Sequence, residues 1–220
     1  MNVILGGTHG LGHEIAVQLQ EKGEQTFVVG RSYDQAQHGL GMAVDASDPN
    51  EVHMLVEYLD QGIGETALKG FFCVAGYGYN GDFAEQPEPQ QMANINFASI
   101  VPIAQSAWKK LLGSENGGNF VVISSTTGVR ARKDEAVYAA TKHAQVGFAR
   151  SLGLESERLE AKIKVALFMP GGMHTPFWTG NEPANFDEFL DPAKVAERII
   201  TKVTGQQGNF YEETIERGSL

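Results

Sequence analysis

Three residues have the types and the spacing for proton chemistry: Ser125, Tyr138 and Lys142. Tyr138 and Lys142 stand four apart, and on a helix residues at i and i+4 share a face. The ammonium then stands beside the phenol. A cation at that distance favours the phenolate and is expected to pull the phenol below its usual pKa of about 10. A phenol tuned towards neutrality acts as a general acid or base. Ser125 follows the apolar run Phe120-Val121-Val122-Ile123, which reads as a buried strand. Its hydroxyl is thus expected at a strand end, placed to hydrogen-bond a substrate oxygen.

The elements that must position these groups can be read in order. Val3-Ile4-Leu5 is a short strand that runs into Gly6-Gly7-Thr8-His9-Gly10-Leu11-Gly12. A helix follows to Lys22, with Gly23 as its stop. Strand, glycine turn and helix is the context for binding a phosphate. Glycines let the backbone approach a pyrophosphate, and the helix start offers free N–H groups and a positive dipole end. Thr26-Phe27-Val28-Val29 is the second strand and ends at Gly30-Arg31. Dinucleotide sites specific for NAD carry an acid near this point, whereas an Arg accommodates a 2′-phosphate. Arg31 therefore favours NADP(H) over NAD(H).

Leu40 to Val44 reads as a third strand with Asp45 at its end. Asp48-Pro49 starts a helix, Asp as cap and Pro at the first position. Phe71-Phe72-Cys73-Val74-Ala75 is a fourth strand, buried on both faces, and Gly76-Tyr77-Gly78-Tyr79 follows at its carboxyl end. A long helix is expected over 88–112, kinked at Pro102, with Lys109 and Lys110 suited to its dipole end. After the Ser125 strand comes the Tyr138 helix, to about residue 157. Ile163 to Phe168 is the sixth strand. Asp191-Pro192 starts the last helix, and 209–215 forms a terminal strand. Strands alternating with helices give an α/β fold, a Rossmann-like doubly wound, mainly parallel seven-stranded sheet with helices on both faces. The 220 residues suit one domain. Residues 1–75 form mainly its cofactor half, and 76–220 its catalytic and substrate half.

Composition narrows the function classes. A net charge of −10 repels phosphate backbones and anionic lipid, so neither nucleic acid nor membrane is expected as a partner. The first strand begins at Asn2, which is expected to leave no room for a signal peptide, and the cytoplasm is the expected compartment. Cys73, the single cysteine, reads as a small buried hydrophobe. The six histidines show no zinc spacing, so no metal is expected. The helices over 88–112 and 135–157 are apolar on more than one side. A second copy is the expected cover, in a homodimer or homotetramer.

Taken together, the chain resembles the short-chain dehydrogenase/reductase (SDR) family across essentially its whole length. The motif Gly6-x-x-x-Gly10-x-Gly12 is similar to the family's cofactor turn, and Asp45 matches the acid that hydrogen-bonds adenine. Asn96, Ser125, Tyr138 and Lys142 match the catalytic tetrad. Pro170-Gly171 with Thr175 resembles the loop that holds the nicotinamide carboxamide. The resemblance implies a cofactor site of Gly6, Thr8, His9, Gly10, Leu11, Gly12, Arg31, Asp45, Ala75 and Gly76, with Tyr138, Lys142, Pro170, Gly171 and Thr175. It also implies hydride transfer between NADP(H) and a small carbonyl or alcohol substrate. In that scheme Tyr138 is general acid or base, Lys142 binds the ribose and lowers the phenol pKa, and Ser125 polarises the carbonyl. Asn96 holds a water that links Lys142 to solvent. The alternative is a non-catalytic NADP(H)-binding sensor or scaffold.

The chain departs from the family pattern at Leu5, usually Thr, and at Cys73-Val74, usually Asn-Asn. His9 stands where NADP-preferring members often carry a basic residue. Tyr77, Tyr79, Phe83, Met173, Phe177 and Trp178 either line an apolar substrate pocket or pack the loops. Arg130, Arg132 and Lys133 read as a solvated basic loop, with contact to an acidic substrate as the alternative.

Overall fold

The structure is a computed structural model and describes residues 1–62, 67–178 and 185–219. Among the described residues seven parallel strands form one sheet: β1 (Asn2–Leu5), β2 (Thr26–Val29), β3 (Gly41–Met42), β4 (Gly70–Cys73), β5 (Gly118–Ile123), β6 (Ile163–Pro170) and β7 (Phe210–Ile215). Their order is β3-β2-β1-β4-β5-β6-β7. The chain starts in the middle, winds to one edge, returns, and winds to the other. The order therefore reverses between β1 and β4, where open α/β sheets open a crevice at their carboxyl ends.

Side chains alternate across the sheet and feed two cores. Val3, Leu5, Phe71, Cys73, Phe120, Val122, Val165 and Leu167 face one side, against α3 (Pro49–Gln61), α5 (Ile100–Leu112) and α6 (Ala136–Arg158). Ile4, Phe72, Val121, Ala166 and Phe168 face the other, against α1 (Gly10–Glu21) and α7 (Pro192–Gly205). Phe71, Phe72, Phe120 and Phe168 are fully buried, each contributing about 1.5–3 kcal/mol of burial. Asp48 and Asp191 cap α3 and α7 as expected, accepting from Asn50 N at 2.8 Å and Ala193 N at 2.9 Å. No helix among the described residues is long and apolar enough to cross a membrane.

Three local expectations are corrected. β3 is only Gly41–Met42, with Leu40 56% exposed, because an edge strand has one neighbour and one register to satisfy. A four-residue helix, α2 (Gln35–His38), precedes it. The long helix over 88–112 is broken into α4 (Pro89–Ala93), a π-helical turn at Asn94–Ala98, and α5. Pro102 lies within the first turn of α5, where a missing N–H is tolerated, and the irregularity falls just before it.

Candidate active site

The crevice at the strand reversal is a cavity of about 680 Å³. Its first wall is the turn after β1. Gly6 adopts φ +86° and Gly12 lies on the Gly6 carbonyl, so close that a Cβ on Gly12 would come within 2.1 Å of the Gly6 oxygen. Only hydrogen at both positions lets α1 begin here. His9 precedes α1 without a side-chain capping bond. The start of α1 thus lacks a capping side chain from His9, the arrangement in which helix N–H groups can meet an anion. His38 supports the turn from below: it is 4% exposed, and its Nε2 lies 3.2 Å from the Thr8 oxygen. Sequence reasoning missed it, because α2 is too short to carry a periodicity.

At one end of the cavity stand Arg31 and Asp45. Asp45 accepts from Ser47 N at 2.8 Å and Ser47 Oγ at 2.7 Å. These bonds, the backbone one foremost, hold its carboxyl below the usual value against partial burial, with help from Arg31. Where the family pattern has Asn-Asn, Cys73-Val74 close the gap through the backbone. Val74 N and Ala75 N both donate to the Leu5 oxygen, at 2.9 and 2.8 Å. The Cys73 thiol is pushed up to about 12 by burial, so it remains an inert hydrophobe.

At the other end stand Ser125, Tyr138 and Lys142. Ser125 follows β5, and its Oγ accepts from Thr127 N at 3.1 Å. Lys142 is 4% exposed. Its Nζ lies 5.7 Å from the Tyr138 ring centre and donates to the Ile123 oxygen at 3.2 Å and to Gln145 Oε1 at 2.9 Å. The expected depression of the Tyr138 phenol is reversed. Burial pushes it well above its ordinary value, opposed by a hydrogen bond from Ser125 and by Arg132, and reinforced by Glu135. Helical spacing shows the neighbouring cation but not the loss of water around both groups. At neutral pH Tyr138 therefore carries its proton, ready to donate.

Burial also lowers the Lys142 ammonium to about 8. A base whose folded pKa lies below its unfolded value destabilises the fold while it is protonated. The penalty is full below pH 8 and fades as pH rises towards 10.5. Relative to Lys142→Met, the wild-type protein should thus gain about 3 kcal/mol of stability across that window. Urea unfolding of both proteins at the two ends of the window checks this, and a pH-independent difference would refute it.

Asn96, 0% exposed, lies behind the cavity rather than in it. Its Oδ1 accepts from Tyr77 N at 2.9 Å, and its Nδ2 donates to Tyr77 O at 2.8 Å and Thr141 Oγ1 at 3.1 Å. It therefore fixes the loop after β4. Its backbone carbonyl accepts from Gln145 Nε2 at 2.8 Å. Gln145 was missed by sequence reasoning. The available signal was a polar residue on the Lys142 face of the helix.

The remaining candidates divide. Gly6, Thr8, His9, Gly10, Leu11, Gly12, Ala75, Gly76, Tyr77, Pro170, Gly171, Met173, Thr175 and Phe177 all line the cavity. Phe177 lies 5.8 Å from the Tyr138 ring. Tyr79 and Phe83 do not line it. Gly81 N–H donates to Asp134 O at 2.8 Å, and Asn80, next to Tyr79, lines the cavity in its place; Phe83 is 62% exposed. The Trp178 side chain lies outside the described residues. Of the basic loop only Arg132 lines the cavity, donating to Thr126 Oγ1 at 3.3 Å. Arg130 is paired with Glu216 at 2.6 Å, and Lys133 lies 3.7 Å from Asp134. Glu135, also unforeseen, lines the cavity beside Arg132 and accepts from Thr127 Oγ1 at 3.0 Å. This wall therefore carries both signs of charge.

Comparison with known proteins agrees with this geometry. The family model described as short chain dehydrogenase matches residues 1–185. Carbonyl reductase family member 4 of Danio rerio is 27% identical over 217 residues, covering 90% of this chain and 88% of the relative. The 3-oxoacyl-[acyl-carrier-protein] reductase of Homo sapiens is 26% identical over 184 residues, 78% of this chain and 75% of the relative. Among solved structures, an actinorhodin polyketide ketoreductase with NADPH superposes with a TM-score of 0.81 at 23% identity, covering 99% of this chain and 96% of that one. A 4-hydroxyisoleucine dehydrogenase complexed with NADH and succinate gives 0.81 at 19% identity, covering 100% and 99%.

Proposed function

Because the chain belongs to the short chain dehydrogenase family, a family of oxidoreductases, we propose that it reduces a small ketone or aldehyde with NADPH, or runs the reverse oxidation. One observation carries this reading: Ser125, Tyr138 and Lys142 share a cavity with the glycine turn and with Arg31. The residues fit a nicotinamide dinucleotide. The uncapped start of α1 and the bare backbone at Gly6 and Gly12 suit a pyrophosphate, and Asp45 suits an adenine. In this reading Pro170, Gly171 and Thr175, which line the same cavity, hold the carboxamide.

When bound, the cofactor supplies or accepts the hydride. The protein does the rest. In reduction Tyr138 gives its proton to the carbonyl oxygen as general acid. Ser125 donates a hydrogen bond to the same oxygen and polarises it. Lys142 binds the ribose hydroxyls and keeps a positive charge beside the phenol. Asn96 holds the Gly76-Tyr77 backbone at the cavity wall. Tyr77, Met173 and Phe177 offer the substrate an apolar lining. With Arg132 and Glu135 both lining the cavity, its wall carries no single sign of charge to select an anionic substrate. The names of the relatives, carbonyl reductase and 3-oxoacyl reductase, favour the reductive direction. The exposed face of α6 at Ala140, His143, Gly147, Ser151 and Leu154 is the seat for a second copy in a homodimer or homotetramer.

Arg31 sets the preference for NADPH in this reading. Arg31→Ala should weaken NADPH about 10- to 100-fold, the loss of one charge-assisted contact, and leave NADH within about threefold on the same grounds. Titration followed by nicotinamide fluorescence and thermal midpoint reads both. If wild-type protein binds NADH the more tightly, the preference for NADPH is wrong and the hydride chemistry stands. If neither nucleotide binds, the whole reading fails.

A further inference from the structure

Gln145 is 1% exposed and spans two groups that belong to the reaction. Its Oε1 accepts from Lys142 Nζ at 2.9 Å, and its Nε2 donates to the Asn96 carbonyl at 2.8 Å. Its orientation is dictated by chemistry, since an ammonium only donates and a carbonyl only accepts. The carboxamide has one way to sit.

The consequence falls on Lys142. An ammonium has three N–H bonds in tetrahedral directions. Two are used, one on the Ile123 carbonyl at 3.2 Å and one on Gln145. With two directions fixed the third is fixed as well, and Lys142 lines the cavity beside Tyr138. A free lysine on a four-carbon stem would instead sample many rotamers at a cost in order. The anchor is itself anchored, because the Asn96 side chain is held by Tyr77 and Thr141, and Thr141 Oγ1 donates to the Tyr138 carbonyl at 2.8 Å. The link from Lys142 to Asn96 thus passes through an amide, which does not ionise near neutral pH.

We propose that Gln145 is a positioning residue of the reaction, a fixed bracket that aims the last N–H of Lys142 into the cavity. This rests on the oxidoreductase reading above, and its test is built to fail separately from it. The titratable groups facing Lys142 are the Cys73 thiol from β4 and the Tyr138 phenol from α6. Glu135 and Arg132 act on Tyr138. None of these is altered by substitution at 145.

Two variants of similar length separate the outcomes. Gln145→Met removes both hydrogen bonds; Gln145→Glu keeps an acceptor for Lys142 and adds a charge. With lysine labelled at 13Cε, the Lys142 signal, assigned by its loss in Lys142→Met, reports the ammonium directly. Its titration midpoint should fall by about one pH unit in Gln145→Met and rise by about one in Gln145→Glu, as loss of an acceptor and gain of a carboxylate dictate. In turnover with NADPH and a ketone, Gln145→Met should lose about 10- to 100-fold in kcat, the scale of a mispositioned catalytic group. Its Kd for NADPH should stay within about threefold. The pH profile of kcat should move with the midpoint. Midpoints unchanged in both variants, with kcat within about twofold, overturn the proposal. If wild-type protein turns over no carbonyl compound and the midpoints still move, the bracket stands as geometry and the oxidoreductase reading falls. If Gln145→Met does not fold, Gln145→Glu alone decides by the direction of its shift.

Discussion

Tyr138→Phe should bind NADPH as wild type does, within about threefold, and should lose about 100- to 10,000-fold in kcat, the range of general acid catalysis. The substitution removes one oxygen. The ring stays, and with it the contact with Phe177 at 5.8 Å, so the cavity keeps its shape. What disappears is the only proton that the phenol gives to the substrate oxygen. Folding should not suffer. The hydroxyl is desolvated, with burial the largest influence on it, and its removal relieves that cost while giving up the bond with Ser125. Hydride transfer without a proton donor leaves an alkoxide against the low-dielectric wall, which is the step that slows. A second signature is the pH profile. An acid whose pKa is raised keeps its proton through neutral pH, so wild-type reduction should be flat there and fall only as the site loses protons at alkaline pH. The variant should lose the part of that limb that belongs to the phenol and keep the part set by Lys142. Stopped-flow NADPH oxidation and equilibrium binding on the two proteins provide the check. Activity near wild type in Tyr138→Phe would sink the assignment.

The Tyr138 case also shows where sequence reading ends. The i, i+4 spacing placed the Lys142 ammonium beside the ring, and the structure has it 5.7 Å from the ring centre. The sign of the pKa shift did not follow, because a pair of residues on one helix carries no record of what else surrounds them. Capping is different. Asp48-Pro49 and Asp191-Pro192 announce helix starts because the whole mechanism lies within three residues. The buried strands announce themselves in the same way, by continuous apolar runs such as Phe71-Phe72-Cys73. β3 was overextended because apolar residues at a sheet edge look like a strand until the second neighbour is known to be missing. Gln145 is the clearest case of a half-legible residue. Its place three after Lys142 is in the sequence, but its second partner, Asn96, stands 49 residues away, brought near only when the π-helical turn packs on α6. Long-range contacts of this kind depend on tertiary packing, and no local pattern specifies them.

The glycine turn is legible for the opposite reason: its constraint is backbone against backbone. Gly12→Ala should therefore be among the most damaging small substitutions in the cofactor half. A Cβ there would lie 2.1 Å from the Gly6 oxygen, 2.8 Å from the Gly6 carbon and 3.0 Å from the Gly7 Cα. No flexible side chain is available to move aside. Either α1 shifts away from β1 or the turn opens, and both displace the N–H groups at the start of α1 that a pyrophosphate would need. Gly6 cannot yield, since it adopts φ +86° with the Ala75 nitrogen 2.5 Å from its own would-be Cβ. The expected stability loss is about 1–3 kcal/mol, the scale of overpacking in a closed site. The expected loss in NADPH affinity is larger, about 100-fold or more, because it takes both the close approach and the helix-end contacts. Gly205→Ala supplies the control. That glycine ends α7 with nothing within 4 Å of its would-be Cβ, and its substitution should change stability by less than about 0.5 kcal/mol and affinity not at all. Calorimetric titration with NADPH and urea unfolding on the same two variants distinguish a steric turn from a merely flexible one. If Gly12→Ala bound NADPH as tightly as Gly205→Ala, the turn would not be the pyrophosphate seat, and the cofactor would have to lie elsewhere along the crevice.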